Sequence, residues 1–279
     1  MMNTQPNPYA SLLQQYQNYD PASTAEDNLP HFTYMEQDSS PIIELREQLQ
    51  ILERIKGLSE TEAILDLLKW VYDTIPYDGC APNPEKHDAY TMLTNPQPAN
   101  CWIKATVLNE VYLSAGFKSR LLFCLPADPD GDNHVITLVY AASLGKWISV
   151  DPSHNTYFMS DKGLILNAIE ARRMYAEGNT PKIKHIDREV TASLFCGGIP
   201  CASYDEFYQI YMSKNCFRFK CPVKSELRYD SHPDDIEYVI LHPHDYDPER
   251  GYSYDNIVAE PSKRYYTHNI GYFLEEPGK

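Results

Sequence analysis

Three features are missing from this 279-residue sequence: runs of basic residues, long apolar stretches and internal repeats of useful period. Lysine and arginine number 24 against 39 aspartates and glutamates, a formal net charge of −15. A chain with that balance and no basic cluster has no electrostatic footprint for nucleic acid or for an anionic membrane. No apolar run approaches the roughly 20 residues of a membrane-spanning helix. The opening segment, MMNTQPNPYASLLQQYQNYD, has neither a positive flank nor a long apolar core, so it does not read as a signal peptide. A trimmed start would leave export open. The seven cysteines are odd in number and widely spread, which suits reduced thiols better than a disulfide framework and favours a cytoplasmic location.

With 43% hydrophobic residues, the chain can build one large domain, or a medium domain with an appendage. Residues 1–40 are polar and rich in Gln, Asn and Pro, and read as a loosely held extension with one short helix near 9–16. IIELREQLQILERIK predicts a helix that Gly57 ends. Ser59 and Glu62 form a capping box ahead of a stripe of Ile64, Leu67, Leu68 and Val71. A Pro- and Asn-rich loop leads to a helix opening at Cys101, with Leu108, Val111, Tyr112 and Ala115 facing inward until Gly116. SRLLFCL, HVITLVY and KWISVD follow as strands joined by short turns, which predicts an antiparallel sheet. A further helix is expected over 166–176. Beyond Cys196 lie half of the 22 tyrosines, with EYVILHP and GYFLEEP as strands. The organisation expected is an α+β core over 41–195, helices packed on an antiparallel sheet, and a tyrosine-rich β extension over 196–279 packed on that core.

Chemistry centres on NPQPANCWIKATVLNEVYLSAG. A cysteine in the first turn of a helix lies beside unpaired backbone N–H groups and the positive end of the dipole, which favour thiolate. A thiol nucleophile also needs a base and a group to orient that base. His134 opens one strand and Asp151 closes the next. If the two strands form a hairpin turning near 141–146, both residues fall at one edge of the sheet, where the carboxylate can hold the imidazole.

The ordered set NCW at a helix start, AGFKSRLLF, NHVITLVY and KWISVDPS resembles the core of the transglutaminase-like superfamily over residues 67–151, extending toward 178. VYDTIPYD resembles the segment preceding that core in bacterial members. The resemblance implies a papain-like fold with a Cys-His-Asp triad of Cys101, His134 and Asp151, acting on peptide or carboxamide bonds by acyl transfer. It implies a cysteine peptidase or amidase, or a protein-glutamine transferase, with hydrolysis favoured, a peptide or protein substrate and no cofactor. The Cys101 N–H would supply one oxyanion donor; the second is unassigned. Val135 after the histidine and Asn100 before the cysteine depart from the common pattern. The alternative is a catalytically silent transglutaminase-like module that binds protein or peptide. Oligomeric state is not legible.

Other residues have blander readings. Trp102 reads as core that can also line a substrate groove. Gln97 is a second groove residue, nearer the cysteine than the papain-type glutamine. His154 competes with His134 as base but reads as closing the turn after Asp151. Asp128, Asp130 and Asp132 imitate the start of a calcium loop, yet Asn133 and Val139 stand where its glycine and glutamate belong. Cys196, Cys201, Cys216 and Cys221 form two C-x4-C pairs, weak zinc candidates against ordinary buried thiols. The tyrosine-rich tail reads as rings packed on the core rather than as a binding surface.

Overall fold

The capping box forms as the sequence predicts: the Ser59 N–H donates to Glu62 Oε2 at 2.9 Å and starts the helix Glu60–Thr74. Its buried stripe of Ile64, Leu67, Leu68 and Val71 packs against the helix Cys101–Ala115. That second helix is buried all round from Ile103 to Ser114, where the sequence suggests a single inward stripe. Helices Ser40–Gln48, Glu60–Thr74 and Ala89–Thr94 pack on it, and the sheet covers another side. A helix buried on every face, with Lys104, Asn109 and Glu110 among its buried residues, is a central element.

The computed structural model describes residues 7–20, 29–128, 131–186, 194–196, 198–228, 236–247 and 263–278. One nine-stranded sheet organises them. From one edge its order is Lys263–Thr267, Glu237–Leu241, Arg218–Pro222, Ser119–Leu125, His134–Ala141, Lys146–Asp151, Thr156–Met159 and Ile165–Leu166, with Lys182–His185 also pairing to Thr156–Met159. The fold is mixed α/β, and the sheet is mixed rather than wholly antiparallel. Glu237–Leu241 and Lys263–Thr267 run parallel, because a long connection rather than a tight turn joins them.

The His134–Ala141 and Lys146–Asp151 strands pair Thr137 with Val150 and Ala141 with Lys146. Extending that register sets Asp151 opposite Ile136 and His134 on the diagonal, on the same face. Val139, Ala141, Ile148 and Val150 pack with Ile103 and Val107 of the Cys101 helix. Ile136, Leu138 and Trp147 join a second cluster with Leu13, Tyr208 and Met212. The sheet therefore separates two layers, with helices Ala168–Ala176 and Tyr204–Asn215 on the far side from the Cys101 helix.

Three further expectations change. The predicted helix through IIELREQLQILERIK is two helices, Ser40–Gln48 and Ile51–Arg54, with Gln50 left-handed between them (φ 50°). Ile42 and Leu45 share a helical face that Ile51 would miss, and the break turns Ile51 into the core while Leu52 stays exposed. GYFLEEP opens inside the helix Ile270–Phe273 instead of forming a strand, and Asn269 Oδ1 caps that helix by accepting the Tyr272 N–H at 3.0 Å. Tyr272 and Phe273 are both buried, and strand alternation would turn one of two such neighbours away from the core. The N-terminal segment is docked over residues 7–20: Leu13 on the helix Pro8–Gln15 is fully buried, and the Arg172 guanidinium donates to the Tyr16 carbonyl.

Arg120, in AGFKSR, is fully buried with its guanidinium 4.0 Å from the Phe32 ring centre and 4.2 Å from that of Trp147. It donates to the Phe273 carbonyl at 3.0 Å, tying the end of the chain to the central sheet. Among the described residues no helix is long and apolar enough to cross a membrane.

Leu13→Ala tests the docking of the first helix. It should cost about 3 kcal/mol in urea unfolding, as truncation of a buried leucine does; a cost below about 0.5 kcal/mol would mean that Leu13 is not core.

Candidate active site

Cys101 sits at the first position of its helix because Asn100 caps it. Asn100 Oδ1 accepts the Ile103 N–H at 3.1 Å, and its amide donates to Asn83 Oδ1 at 2.8 Å. Ala99 is clamped to the preceding loop, donating to the Pro76 carbonyl at 2.9 Å and accepting from the Asp78 N–H at 3.0 Å. The half-buried Cys101 thiol is thus fixed at a helix end, where backbone N–H groups lack intrahelical partners. One turn on, buried Lys104 donates to the Tyr72 carbonyl at 3.2 Å and to that of Ile75, closing the end of the Glu60–Thr74 helix. Burial pulls the Lys104 ammonium down to about 7, against the opposing pull of Asp151 and Asp73.

His134 and Asp151 meet at the end of the sheet. His134 Nε2 donates to Asp151 Oδ2 at 2.6 Å, with His134 fully buried and Asp151 1% exposed. The carboxylate is otherwise saturated: Oδ1 accepts the Ser153 N–H at 2.8 Å, and Oδ2 accepts the Tyr208 hydroxyl at 2.8 Å. The other imidazole nitrogen, Nδ1, is buried without a hydrogen-bond partner. Burial disfavours the imidazolium, but the charge and hydrogen bond of Asp151 outweigh it, and Cys101 adds to them, so His134 rises to about 10. Since Asp151 holds Nε2, the interaction with Cys101 falls on the Nδ1 side. Burial likewise favours a neutral Asp151, and the charges of His134 and His154, with the His134 and Tyr208 hydrogen bonds, hold it well below the usual carboxylate range.

His154 does more than close the turn after Asp151. Its ring lies 5.5 Å from that of His134, 5.4 Å from Tyr77 and 5.3 Å from Tyr208. The Tyr204 hydroxyl bonds its Nδ1. Burial lowers His154 to about 4 although Asp151 opposes this, so it is neutral where His134 is charged. Tyr211 sets its ring 5.1 Å from His134. Tyr204, Phe207, Tyr208 and Tyr211 follow helical spacing on Tyr204–Asn215. Read as core, that stripe hides its second role, because its hydroxyls reach Asp151 and His154.

The remaining sequence candidates lie elsewhere. Trp102 is half-buried with its ring 5.4 Å from His87, and Gln97 is exposed in the turn before the helix. Asp130 falls outside the described residues; Asp132 faces Lys214, whose ammonium donates to its carbonyl at 2.8 Å. All seven cysteines are free thiols. Cys216 and Cys221 are in the apolar core, whereas Cys196 and Cys201 belong to the separate hairpin of Leu194–Cys196 and Ile199–Cys201. Among the described residues they form no ligand cluster, because apolar packing claims one pair and the hairpin the other. The three potential ligands that do come together are His134, Asp151 and His154, with ligand atoms within 4.8 Å of one another. Its closest pair is already bridged by a proton at 2.6 Å, a site a cation would have to displace.

A helix-borne thiol facing a His–Asp pair on the adjoining sheet defines a thiol-centred α/β site. Residues 50–152 match the model of the transglutaminase-like superfamily. No curated protein sequence matches the chain. Among solved structures it overlaps the periplasmic domain of TgpA from Pseudomonas aeruginosa at 18% identity and TM-score 0.34, over 43% of this chain and 45% of that one. It overlaps a candidate cysteine protease from Cytophaga hutchinsonii at 14% identity and TM-score 0.34, over 67% and 66% of the two chains. The corresponding values for a candidate protease from Parabacteroides distasonis are 11%, 0.30, 57% and 30%. The chain thus spans between 30% and 66% of the length of these proteins.

The raised His134 fixes the sign of a pH effect. Its contribution to stability is complete below the unfolded histidine value of about 6.5 and disappears as pH climbs through about 10. Asp151→Asn should therefore cost about 3 kcal/mol at neutral pH, as breaking a buried ion pair does, and much less well above pH 10. Urea unfolding of both proteins at the two pH values measures the difference; a cost independent of pH would contradict the pairing.

Proposed function

We propose that this chain is a thiol-dependent acyl-transfer enzyme acting on peptide or carboxamide bonds, with Cys101 as nucleophile, His134 as base and then acid, and Asp151 as the carboxylate orienting the imidazole. The observation that carries the reading is the His134 ring itself: Nε2 is fixed on a buried carboxylate at 2.6 Å, while Cys101 acts on the same ring and favours its charged form. A nucleophile, a base and an orienter of that base are the parts such chemistry requires.

In this mechanism the Cys101 proton already rests on His134 Nδ1, and the thiolate of that pair attacks the carbonyl carbon. The carbonyl π pair moves onto oxygen, toward the backbone N–H groups at the helix start. Collapse expels the amine, which takes the proton from Nδ1, and leaves a thioester on Cys101. Water then attacks, yielding its proton to His134, and the thiolate departs from the acid product; an amine in place of water gives transamidation. Asp151 stays ionised throughout and steadies the imidazolium at each transfer. We favour water as the acceptor, which makes the chain a peptidase or amidase.

Iodoacetamide labelling of Cys101, followed by peptide mass spectrometry, tests the assignment. Labelling at about pH 6 should be fast in the native chain and fall at least about a hundredfold in His134→Ala, the scale of a lost base. Slow labelling at the same rate in both would remove the enzyme reading and leave a peptide-binding module.

A further inference from the structure

Beyond the residues that match the superfamily, the structure brings a tyrosine to the orienting carboxylate. Tyr208, on the helix Tyr204–Asn215, is 1% exposed, and its hydroxyl donates to Asp151 Oδ2 at 2.8 Å. That oxygen is the one accepting His134 Nε2 at 2.6 Å. We infer that Tyr208 is a positioning residue of the site, holding Asp151 in the rotamer that aligns His134 with Cys101. The inference rests on the proposed thiol chemistry and deepens it.

The geometry of the carboxylate carries the argument. A carboxylate attached only through its own strand can rotate about its Cβ–Cγ bond and exchange oxygens under the imidazole. Here the Ser153 N–H at 2.8 Å pins Oδ1, and the Tyr208 hydroxyl approaches Oδ2 from the opposite layer. Two donors on different elements fix the plane of the group, which one donor cannot. Hydrogen bonds to a charged acceptor are about twice as strong as neutral ones, and a buried carboxylate deprived of one loses solvation that water cannot restore.

The ring of Tyr208 is itself fixed by packing. It lies 5.8 Å from Phe158 and 6.5 Å from the stacked Tyr204 ring. Its helix is anchored beside the site by Tyr211, whose hydroxyl donates to the Asn133 carbonyl at 3.4 Å, and by Lys214, which bonds the Asp132 carbonyl at 2.8 Å. Both anchors lie immediately before His134. The helix that positions the carboxylate thus also holds the entry to the histidine strand. The C-terminal part of the chain is on this account a component of the active site.

Tyr208→Phe keeps the ring and deletes the donor. Iodoacetamide labelling of Cys101 at neutral pH should fall about tenfold, the scale of one hydrogen bond to a charged group. The decisive readout is a double-mutant cycle: in an Asp151→Asn background, Tyr208→Phe should change the rate little, since its partner is already altered. Equal effects in the two backgrounds would overturn the inference and leave Tyr208 as packing. An unchanged rate in Tyr208→Phe beside fast, His134-dependent labelling of the native chain would overturn it while sparing the thiol chemistry. If the native chain itself lacks His134-dependent labelling, both fall. Should Tyr208→Phe fail to fold, Tyr208→3-fluorotyrosine keeps the ring and strengthens the donor. The proton resonance of the His134–Asp151 hydrogen bond should then shift, and an unmoved resonance would overturn the inference.

Discussion

The ion pair between His134 and Asp151 is the constraint around which this end of the molecule is built. Taking two charges out of water costs several kcal/mol for each ion, and neither residue has solvent to share that cost. The short contact at 2.6 Å and the donors from Ser153 and Tyr208 offset it. Each compensating group comes from a different element: a strand end, the turn that follows it, and a helix of the C-terminal half. Pulling any of them away would leave a charge buried without its partners, so the pair ties distant segments to one geometry.

Two layers meet at that point. The Cys101 helix covers one face of the sheet, and Cys101 in its first turn acts on His134 at the sheet end. His134 and Asp151 share the other face with Tyr208. The thiol and the charged pair thus come from opposite sides and converge only where the sheet stops. The environment also separates two histidines of the same type. His134, directly on the carboxylate, is raised to about 10, whereas His154, farther out among aromatic rings, is lowered to about 4. Burial acts against the charge on both rings; at His134 the charge and hydrogen bond of Asp151 outweigh it, whereas at His154 burial prevails, with the charges of His134, Lys104 and His185 adding to it.

The elements carrying the thiol and the pair were legible because they depend on local rules. A cysteine where a Pro- and Asn-rich loop gives way to a helical pattern, Gly116 as a stop, and a hairpin with a histidine at one strand start and an aspartate at the next strand end are all short-range patterns. A period-2 register then places the two side chains on one face. Failures came where tertiary burial outweighed local pattern. Gln50 takes a left-handed conformation so that Ile51 can reach the core, and Tyr272 with Phe273 bury as a helical pair. The helix Tyr204–Asn215 lies inside the segment that the sequence reads as a tyrosine-rich β extension, so its aromatic stripe was not legible as helical. Its pairing with Asp151 joins residues 57 apart in the chain, and no spacing rule announces such a contact. The parallel strand at the far edge depends on a long connection of the same undetermined kind.

The central claim is that a buried imidazolium, not a neutral imidazole, stands beside Cys101. Nitrogen-15 NMR of His134 at neutral pH tests it most directly, with His134→Gln identifying the signal. The account predicts that both ring nitrogens carry protons through the neutral range, and that the ring becomes neutral only as pH approaches about 10. A ring with one protonated nitrogen at neutral pH, titrating near the ordinary histidine value of about 6.5, would contradict it.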